Sequence, residues 1–591
     1  MKRFRPGASF GDFVISDSQT SRSRMGEDKG RDFRRGWLVW CGVLLAMVVL
    51  VIRLATLQIF YGDRYRLLSD QNRIQTIKLG APRGIIYDRN GQILAGNIKV
   101  RIVDAQTGKD ERETYFRQYP AATSSAHVVG YVGEVGQDEV GLLKAVGSKY
   151  EAGDMIGRSG IEMQYESVLR GIDGGRLVEV DNQGKIVREL GRQEPIPGQD
   201  LHLTIDRDLQ ETALEAMGGK KGALVASNPQ TGEVLAMVSS PSYDPNLFIN
   251  KYNQAAQKQL SQVLVDQNLP LLNRAIGGIY PPGSTFKMTV TAGAITDNKV
   301  KPGFIYDDHG IITLGNYNYT NWLYSRGGGV EGPIGFARAI TRSTDTFFYT
   351  VGQMSGPETI AAWARKVGMG SLTNIDIPGE VAGVIPDPAW KLKTKAEAWF
   401  TGNTFQMAIG QGDVLVTPLQ DNLMTNVMAT GGRKCQLHLV EITNSKSQIT
   451  NDNNCTQVDI SPKAVDIIHQ GMTGACTSGG TAFPLFDWNN AALNKSAVAT
   501  FARKMDGKPL PVIGCKTGTA EYVAPDGKMR EHGWLTAYAP ANDPKITVTV
   551  LMEGGGEGSN VAAPVVRKLL AKYFGVEDKY PYSAIPQAVG E

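Results

Sequence analysis

The sequence predicts an α+β protein carried on one N-terminal membrane helix. Three observations lead there. GWLVWCGVLLAMVVLVI, residues 36–52, runs 17 residues without a charge. Strand-like segments stand at both ends of the stretch 201–577, with helical segments between them. That order builds one antiparallel sheet from both ends and packs helices on it. Hydrophobic residues are 42% and charged ones 20% of the chain, the balance of a protein with a packed core.

At 591 residues the chain exceeds one ordinary domain, so two or three are expected. The formal net charge is only +3, and no Lys/Arg block or aromatic-basic array is present. Nucleic acid is therefore not an expected partner.

Residues 1–35 are polar and rich in Ser, Arg and Gly, the composition of a disordered tail. The span is read as 36–59, with LATLQIF carrying the apolar run past a single Arg53. At about 1.5 Å per residue this length suits a bilayer core, and Arg53 can snorkel to the interface. A buried soluble helix is the bland alternative. Trp37 and Trp40 at one end and Tyr61 at the other fit an interfacial belt better. The long preceding tail, with no A-x-A site after the span, favours an uncleaved anchor over a signal peptide. Arg22, Arg24, Lys29, Arg31, Arg34 and Arg35 precede the span; Arg53, Arg64 and Arg66 follow closely. This bias puts the N-terminus in the cytoplasm and everything beyond residue 60 outside.

Residues 60–200 carry many turn signals: PRG at 82–84, DRNG at 88–91, DNQG at 181–184 and PIPG at 195–198. Short strands such as GRLVEV, 175–180, lie between them, so a β-rich pedestal with little helix is expected. At about residue 201 the pattern changes. LHLTID alternates like a strand, and RDLQETALEAM, 207–217, has helical period. GALVASNPQTGEVLAMVSS, 222–240, reads as a hairpin around PQTG. PETIAAWARKVG, 357–368, is one of several middle helices. VIGCKTGTAEY (512–522), GWLTAYAP (533–540) and KITVTVLMEG (545–554) are strand-like, and APVVRKLLAKYFG (563–575) closes as an amphipathic helix. Residues 578–591 are read as a tail.

Cys41 falls in the span, which leaves Cys435, Cys455, Cys476 and Cys515 in a compartment that permits disulfides. Four cysteines allow three pairings. The expected one is Cys435–Cys455, which brackets a hairpin-like insert, with Cys476–Cys515; isolated buried thiols are the alternative. No C-x-x-C or His pair suggests zinc.

PPGSTFKMTV, 281–290, holds the first chemical signal. The Pro-Pro-Gly run makes a helix begin at or just after Ser284, near the positive end of its dipole. Lys287 lies three residues on, on the same face. A serine hydroxyl needs a base, and lysine can serve only when neutral, which desolvation among apolar neighbours promotes. Alone, a capping serine and a surface lysine explain this spacing better. Two further pieces change that. Ser343-Thr344-Asp345 lies in a polar break before TFFYTVG, and Lys516-Thr517-Gly518-Thr519 begins a strand-like segment. S-x-x-K, S-x-D and K-T-G in this order form the catalytic signature of penicillin-binding proteins and serine β-lactamases.

With these motifs the chain resembles class B penicillin-binding proteins, membrane-anchored transpeptidases of bacterial peptidoglycan. The likeness runs from about residue 60 to 577. It includes NRIQTIKLGAPRGIIYDRNGQILAGN (72–97), RSGIEMQYESVLRG (158–171), SSPSYDPNLF (239–248), NRAIGGIYPPGSTFK (273–287) and GNTFQMAIGQGDVLVTPLQ (402–420). SYDPNLF, and Asp in the second motif, look like the elongation branch, penicillin-binding protein 2. The division-specific transpeptidase is the nearer alternative; a β-lactam sensor or a non-catalytic scaffold is more distant.

The resemblance implies a pedestal over 60–200 with a shortened head, and a transpeptidase domain over 201–577 built on a five-stranded antiparallel sheet with helices on both faces. It implies Ser284 as nucleophile, Lys287 as its base, Ser343 as proton relay to the leaving amine aided by Lys516, and Asp345 as organiser. Lys516, Thr517 and Thr519 would bind the stem peptide, Gly518 would allow close approach, and the N–H groups of Ser284 and Thr519 would form the oxyanion hole. Peptidoglycan stem peptides and β-lactams are the implied ligands. A SEDS-type glycosyltransferase and the elongation machinery are the implied partners. No cofactor is implied. Some elongation-branch relatives bind zinc through S-C-D and G-H-G segments. Thr344 and Arg326-Gly327 stand there, so no metal is expected. Only a short stretch joins Asn97 to RQYPAATSSAHVVGYVG (117–133), where relatives carry a longer head; partner contacts through that head are in doubt. His127, His202, His309, His438, His469 and His532 do not cluster in sequence, and Glu521 is read as a surface or strand-end residue. Trp322 and Tyr349 are read equally as groove lining or core.

Overall fold

Between Gly222 and Ser240 almost every residue is small or apolar, broken only at Asn228–Glu233. A segment so uniformly apolar is stable only with both faces covered. The computed structural model describes residues 31–103, 111–145, 148, 150–181, 185–250, 253–441, 454–493, 501–502, 510–578 and 580. In it, β1 (Gly222–Ser227) and β2 (Val234–Ser240) form an antiparallel hairpin, and every residue of both is buried. β3 (Gly514–Val523), β4 (Met529–Ala539) and β5 (Ile546–Met552) complete a five-stranded sheet in the order β2-β1-β5-β4-β3. All pairs are antiparallel. The C-terminal strand β5 joins the two ends of the domain by pairing with β1, Val225 opposite Thr549.

Alternation along the strands sorts the side chains. Leu224 and Ala226 of β1 and Ile546, Val548 and Val550 of β5 pack with Leu209 and Ala213 of α1 (Arg207–Met217). Asp206 caps α1, accepting from Leu209 N at 3.0 Å, and Gly218 closes it in the left-handed region. The opposite face carries α2 (Lys287–Thr296), α3 (Phe336–Arg342), α4 (Asp345–Ser355), α5 (Pro418–Ala429) and α6 (Pro462–Ala475). These helices share a core of Met288, Phe336, Phe347, Met424 and Ile468, joined by Phe286 of the turn before α2 and Trp363 of the helix Pro357–Lys366. α7 (Ala563–Phe574) adds Val566, Leu569 and Leu570 to the α1 face. The expected sheet with helices on both faces is therefore present.

Packing divides the chain into two units: residues up to Ile77 with Arg176–Arg192, and Lys78–Gly175 with all that follows Gln193. The first unit contains the helix Arg31–Ala55, a π-helical turn Thr56–Phe60, and the helix Gly62–Arg73. Gly36–Phe60 is long and apolar enough to cross a membrane. A three-stranded sheet joins Ile74–Leu79, Gly174–Val180 and Ile186–Gln193, with Arg188 bound to Glu179 at 2.7 Å.

Much of the expected pedestal belongs to the second unit. Ile86, Leu94, Val128 and Ile161 share one core with Leu203, Val225, Met237 and Leu419. Its polar centre is Glu162, fully buried. Glu162 binds Arg83 Nε at 2.5 Å and Arg117 Nε at 2.6 Å, and accepts from Tyr119 Oη at 3.3 Å. The carboxylates beside Arg83 hold its guanidinium charged, against the opposing effect of burial. The region has more helix than its turn signals suggest, including Gln137–Ala145, which buries none of its residues. Ile93–Val103 and Glu111–Gln118 pair antiparallel in the region of the expected shortened head. The tail signal at 1–30, most of the 181–184 turn, the 442–453 insert between the first cysteine pair, and 581–591 lie outside the described residues. Asp578, the first residue of the expected tail, instead ion-pairs with the buried Arg567 at 2.9 Å.

Cys435 and Cys455 face each other in a two-stranded ladder and are bonded. Cys476, at the end of α6, is bonded to Cys515, next to Lys516 on β3.

Candidate active site

The turn that carries Ser284 is a single 3-10 turn, Gly283–Phe286, running directly into α2. It is fastened on several sides. Gly283 N donates to Gly410 O at 2.9 Å, and Trp534 Nε1 of β4 donates to Pro281 O at 2.9 Å. Gly283 has φ +57°, and a Cβ there would stand 2.7 Å from Thr519 O. A Cβ on Gly518 would meet Pro282 O at 3.0 Å and Trp534 Cβ at 2.9 Å. The two glycines thus let the turn and β3 touch backbone to backbone. Gly518 is needed for this contact with the Ser284 turn, beyond the approach of substrate.

α2 is buried along nearly its whole length, so Lys287 at its start is fully buried. Its Nζ donates to Asp345 Oδ1 at 2.6 Å, Ser343 O at 2.8 Å and Ser343 Oγ at 3.2 Å. From the other side, Lys516 Nζ donates to Ser343 Oγ at 2.8 Å and Thr517 O at 2.9 Å. One hydroxyl therefore stands between two buried lysine nitrogens. Ser343 ends α3 in the left-handed region, φ +58°, and Thr344 leads into α4, whose first residue is Asp345. The polar break read from the sequence is this junction between two helices.

Burial pushes the Lys287 ammonium pKa down, and the Asp345 carboxylate beside it pulls the other way. Burial also depresses Lys516, further than Lys287, and the nearby positive charge of Lys287 adds to it. The pair holds one of its amines neutral with ease and two ammonium groups only with difficulty. Lys287 directs its hydrogen bonds to Ser343 and Asp345; none reaches Ser284 Oγ. Ser284 itself is half-buried, as is Thr519, which lies opposite Gly533 on β4. β3 is the last strand of the sheet order, which leaves its outer edge for an added peptide strand.

Several side chains had no clear sign in the sequence. Thr481 Oγ1 is 2.7 Å from Thr517 Oγ1, so it orients one of the expected binding hydroxyls; its only mark was a Gly-rich turn, SGGTA. Glu331 binds Arg342 Nε at 2.5 Å, and Trp322 Nε1 donates to Arg342 O at 2.8 Å, which braces the residue before Ser343. Asp308, fully buried, accepts from Gly310 N, Asn321 Nδ2, Glu331 N and Thr346 Oγ1 at 2.6–3.0 Å. Its lone pairs are committed to these donors. Arg326 pairs with Glu557. Beside Thr344 this donor set does not fit zinc, and among the described residues no three His, Cys, Asp or Glu side chains converge as metal ligands. Tyr349 is core, stacked on Phe405. Glu521 stands opposite Glu531 at the end of β3. His532 stacks on Tyr522, and burial lowers it to about 4.

The penicillin binding protein transpeptidase domain model matches residues 222–571, and the penicillin-binding protein dimerisation domain model matches 107–203. Peptidoglycan D,D-transpeptidase MrdA of Haemophilus influenzae is 32% identical, with 92% of this chain and 91% of that one covered. MrdA of Acinetobacter baumannii is 31% identical, covering 88% and 84%. Among solved structures, Pseudomonas aeruginosa PBP2 in complex with WCK 5153 is 33% identical with a TM-score of 0.69, covering 84% of this chain and 96% of that one. A chain of a peptidoglycan synthase complex that coordinates polymerization and crosslinking is 30% identical, TM-score 0.70, covering 93% and 99%. Helicobacter pylori PBP2 in complex with MreC is 25% identical, TM-score 0.69, covering 85% and 99%. Lysines, hydroxyl and carboxylate converge beside the serine turn as the three motifs require, and the chain belongs to the penicillin-binding protein transpeptidase family, as a peptidoglycan D,D-transpeptidase of the elongation type.

Proposed function

We propose that this transpeptidase works through an acyl-enzyme on Ser284, with the following division of labour. Ser284 Oγ attacks the carbonyl of the penultimate D-Ala of a stem peptide. Its proton passes to Lys287 when that amine is neutral; rotation of the Ser284 side chain on substrate arrival brings the two within reach. Backbone N–H groups of Ser284 and Thr519 stabilise the oxyanion. Collapse of the tetrahedral intermediate breaks the peptide bond, and Ser343, between Lys287 and Lys516, delivers a proton to the departing D-Ala amine. Asp345 keeps Lys287 and Ser343 in register. The donor strand lies along Thr517, Gly518 and Thr519, with Lys516 and Thr517 engaging its carboxylate. An amine from a neighbouring stem peptide then attacks the ester and forms the cross-link. A β-lactam acylates Ser284 by the same route.

The observation that supports this most is the meeting of Lys287 and Lys516 on the Ser343 hydroxyl, with Asp345 holding Lys287. Covalent labelling by a fluorescent penicillin tests it. Wild type labels, Ser284→Ala does not, and Lys287→Ala loses labelling while its circular dichroism stays that of wild type. Unlabelled folded wild type, or equal labelling of Ser284→Ala, overturns the assignment.

The expected topology belongs to this proposal: tail 1–35 inside, span 36–59, pedestal 60–200, and a catalytic domain 201–577 outside the cytoplasmic membrane. So do the partners. A SEDS-type glycosyltransferase would engage the span and pedestal, in keeping with the synthase complex above. An MreC-type scaffold would represent the elongation machinery, as for the Helicobacter pylori relative.

A further inference from the structure

Behind the Ser284 turn lies an acid that the mechanism does not use. Asp421, on the first turn of α5, is fully buried. Its Oδ1 stands 2.8 Å from Thr285 Oγ1, the hydroxyl next to the nucleophile. The same hydroxyl stands 3.0 Å from Pro282 O. A threonine hydroxyl has one proton to give. It cannot donate to both oxygens, and a peptide carbonyl has no proton to return. Both contacts are hydrogen bonds only if Asp421 carries a proton on Oδ1.

The rest of the neighbourhood agrees. Asp421 Oδ2 is buried without a hydrogen-bond partner. That is tolerable for the carbonyl oxygen of a neutral acid and costly for a carboxylate. β1 and β5, on which α5 packs, contain no charged residue. Arg274, on the neighbouring short helix, is committed to Glu553 at 2.8 Å. Arg433, Lys434 and His469, on other elements against α5, bond to backbone carbonyls, and Arg530, far along β4, pairs with Asp526. Burial pushes the Asp421 carboxyl up to about 7.

We propose that Asp421 is a positioning residue for the acylation step: as a neutral acid it donates to Thr285 Oγ1, Thr285 donates to Pro282 O, and this chain fixes the turn that presents Ser284. The inference rests on Ser284 being the nucleophile. In sequence Asp421 shows only as one acid in the apolar run VLVTPLQDNLMTNVMA.

Two variants and one spectrum test it. Asparagine keeps a donor at this place and alanine removes it. With a fluorescent penicillin, Asp421→Asn should acylate within about threefold of wild type, and Asp421→Ala roughly tenfold or more slowly. The infrared difference spectrum of wild type minus Asp421→Asn, taken below neutral pH, should contain the carbonyl stretch of a protonated carboxylic acid. Asp421→Asn as slow as Asp421→Ala, or no such band in the folded protein, overturns the proposal. The band is read without acylation, so it stands apart from the assignment of Ser284, which the Ser284→Ala control tests separately. If Asp421→Ala does not fold, the band and the Asparagine variant still decide.

Discussion

Between pH 3.8 and about 7 the folded chain holds a proton on Asp421 that the unfolded chain has released. The free side chain ionises at its ordinary 3.8 and burial raises the folded one to about 7. In that window the native state binds more protons, so stability falls as pH rises and the deficit is complete above about 7. Asp421→Asn has no such slope. Thermal melts of the two proteins should agree near the acid end and separate as neutrality is approached, with the Asn variant higher. Parallel curves would rule out a buried proton. Ser284, Lys287, Ser343, Asp345 and Lys516 stood out in the sequence as a family signature of three motifs, and the fold brings the two lysines, the Ser343 hydroxyl and the Asp345 carboxylate together. Asp421 did not stand out. Its effect comes from a turn 136 residues away in sequence, and no local pattern records which buried acid lies behind which hydroxyl.

At the scale of elements, the contact between the Ser284 turn and β3 depends on two missing side chains. Gly518→Ala would insert a Cβ 3.0 Å from Pro282 O and 2.9 Å from Trp534 Cβ, so turn and strand must separate. Acylation is expected to fall on the order of 10- to 100-fold, since small misplacements of reacting groups cost that much. Circular dichroism should stay unchanged, because the sheet keeps its other pairings. An acylation rate equal to wild type would show the contact to be dispensable. Strands β1 to β5 were readable as apolar runs bounded by turn signals, and helices α1 and α7 from their helical period. The pairing of β1 with β5 was not, because strand order is settled by contacts remote in sequence. Gln137–Ala145 escaped for a different reason: it buries nothing and holds Gly141, so it carries no amphipathic stripe.

For the molecule as a whole, the segment 78–175 packs with the catalytic body. The domain boundary near residue 201, read from a change in turn density, marks a change of pattern within a shared core. Glu162 is the polar centre of that region, and Glu162→Gln leaves Arg117 buried beside a neutral partner, while Arg83 keeps its ion pair with Glu166 at 2.7 Å. Breaking a buried pair of this kind costs about 3–5 kcal/mol. The variant should lose several degrees of Tm, while acylation per folded molecule stays that of wild type. A Tm unchanged from wild type would mean that water or a shifted Arg takes over the pairing. PRGIIYDRNG, RQYPAATSS and RSGIEMQYE carried these residues in view, but as family likeness; their ionic role needed the fold to bring residues 83, 117 and 162 together.

Ser343 joins these scales. It ends α3 at φ +58°, a position that helix termini usually give to glycine. The same backbone geometry sets its hydroxyl between Lys287 and Lys516. Glycine there would relieve roughly 1 kcal/mol of conformational strain and, on the mechanism proposed above, erase the proton path. Selection for a sturdier protein and selection for a working one therefore pull this position apart, and a search for thermostable variants that ignores turnover would discard the serine first.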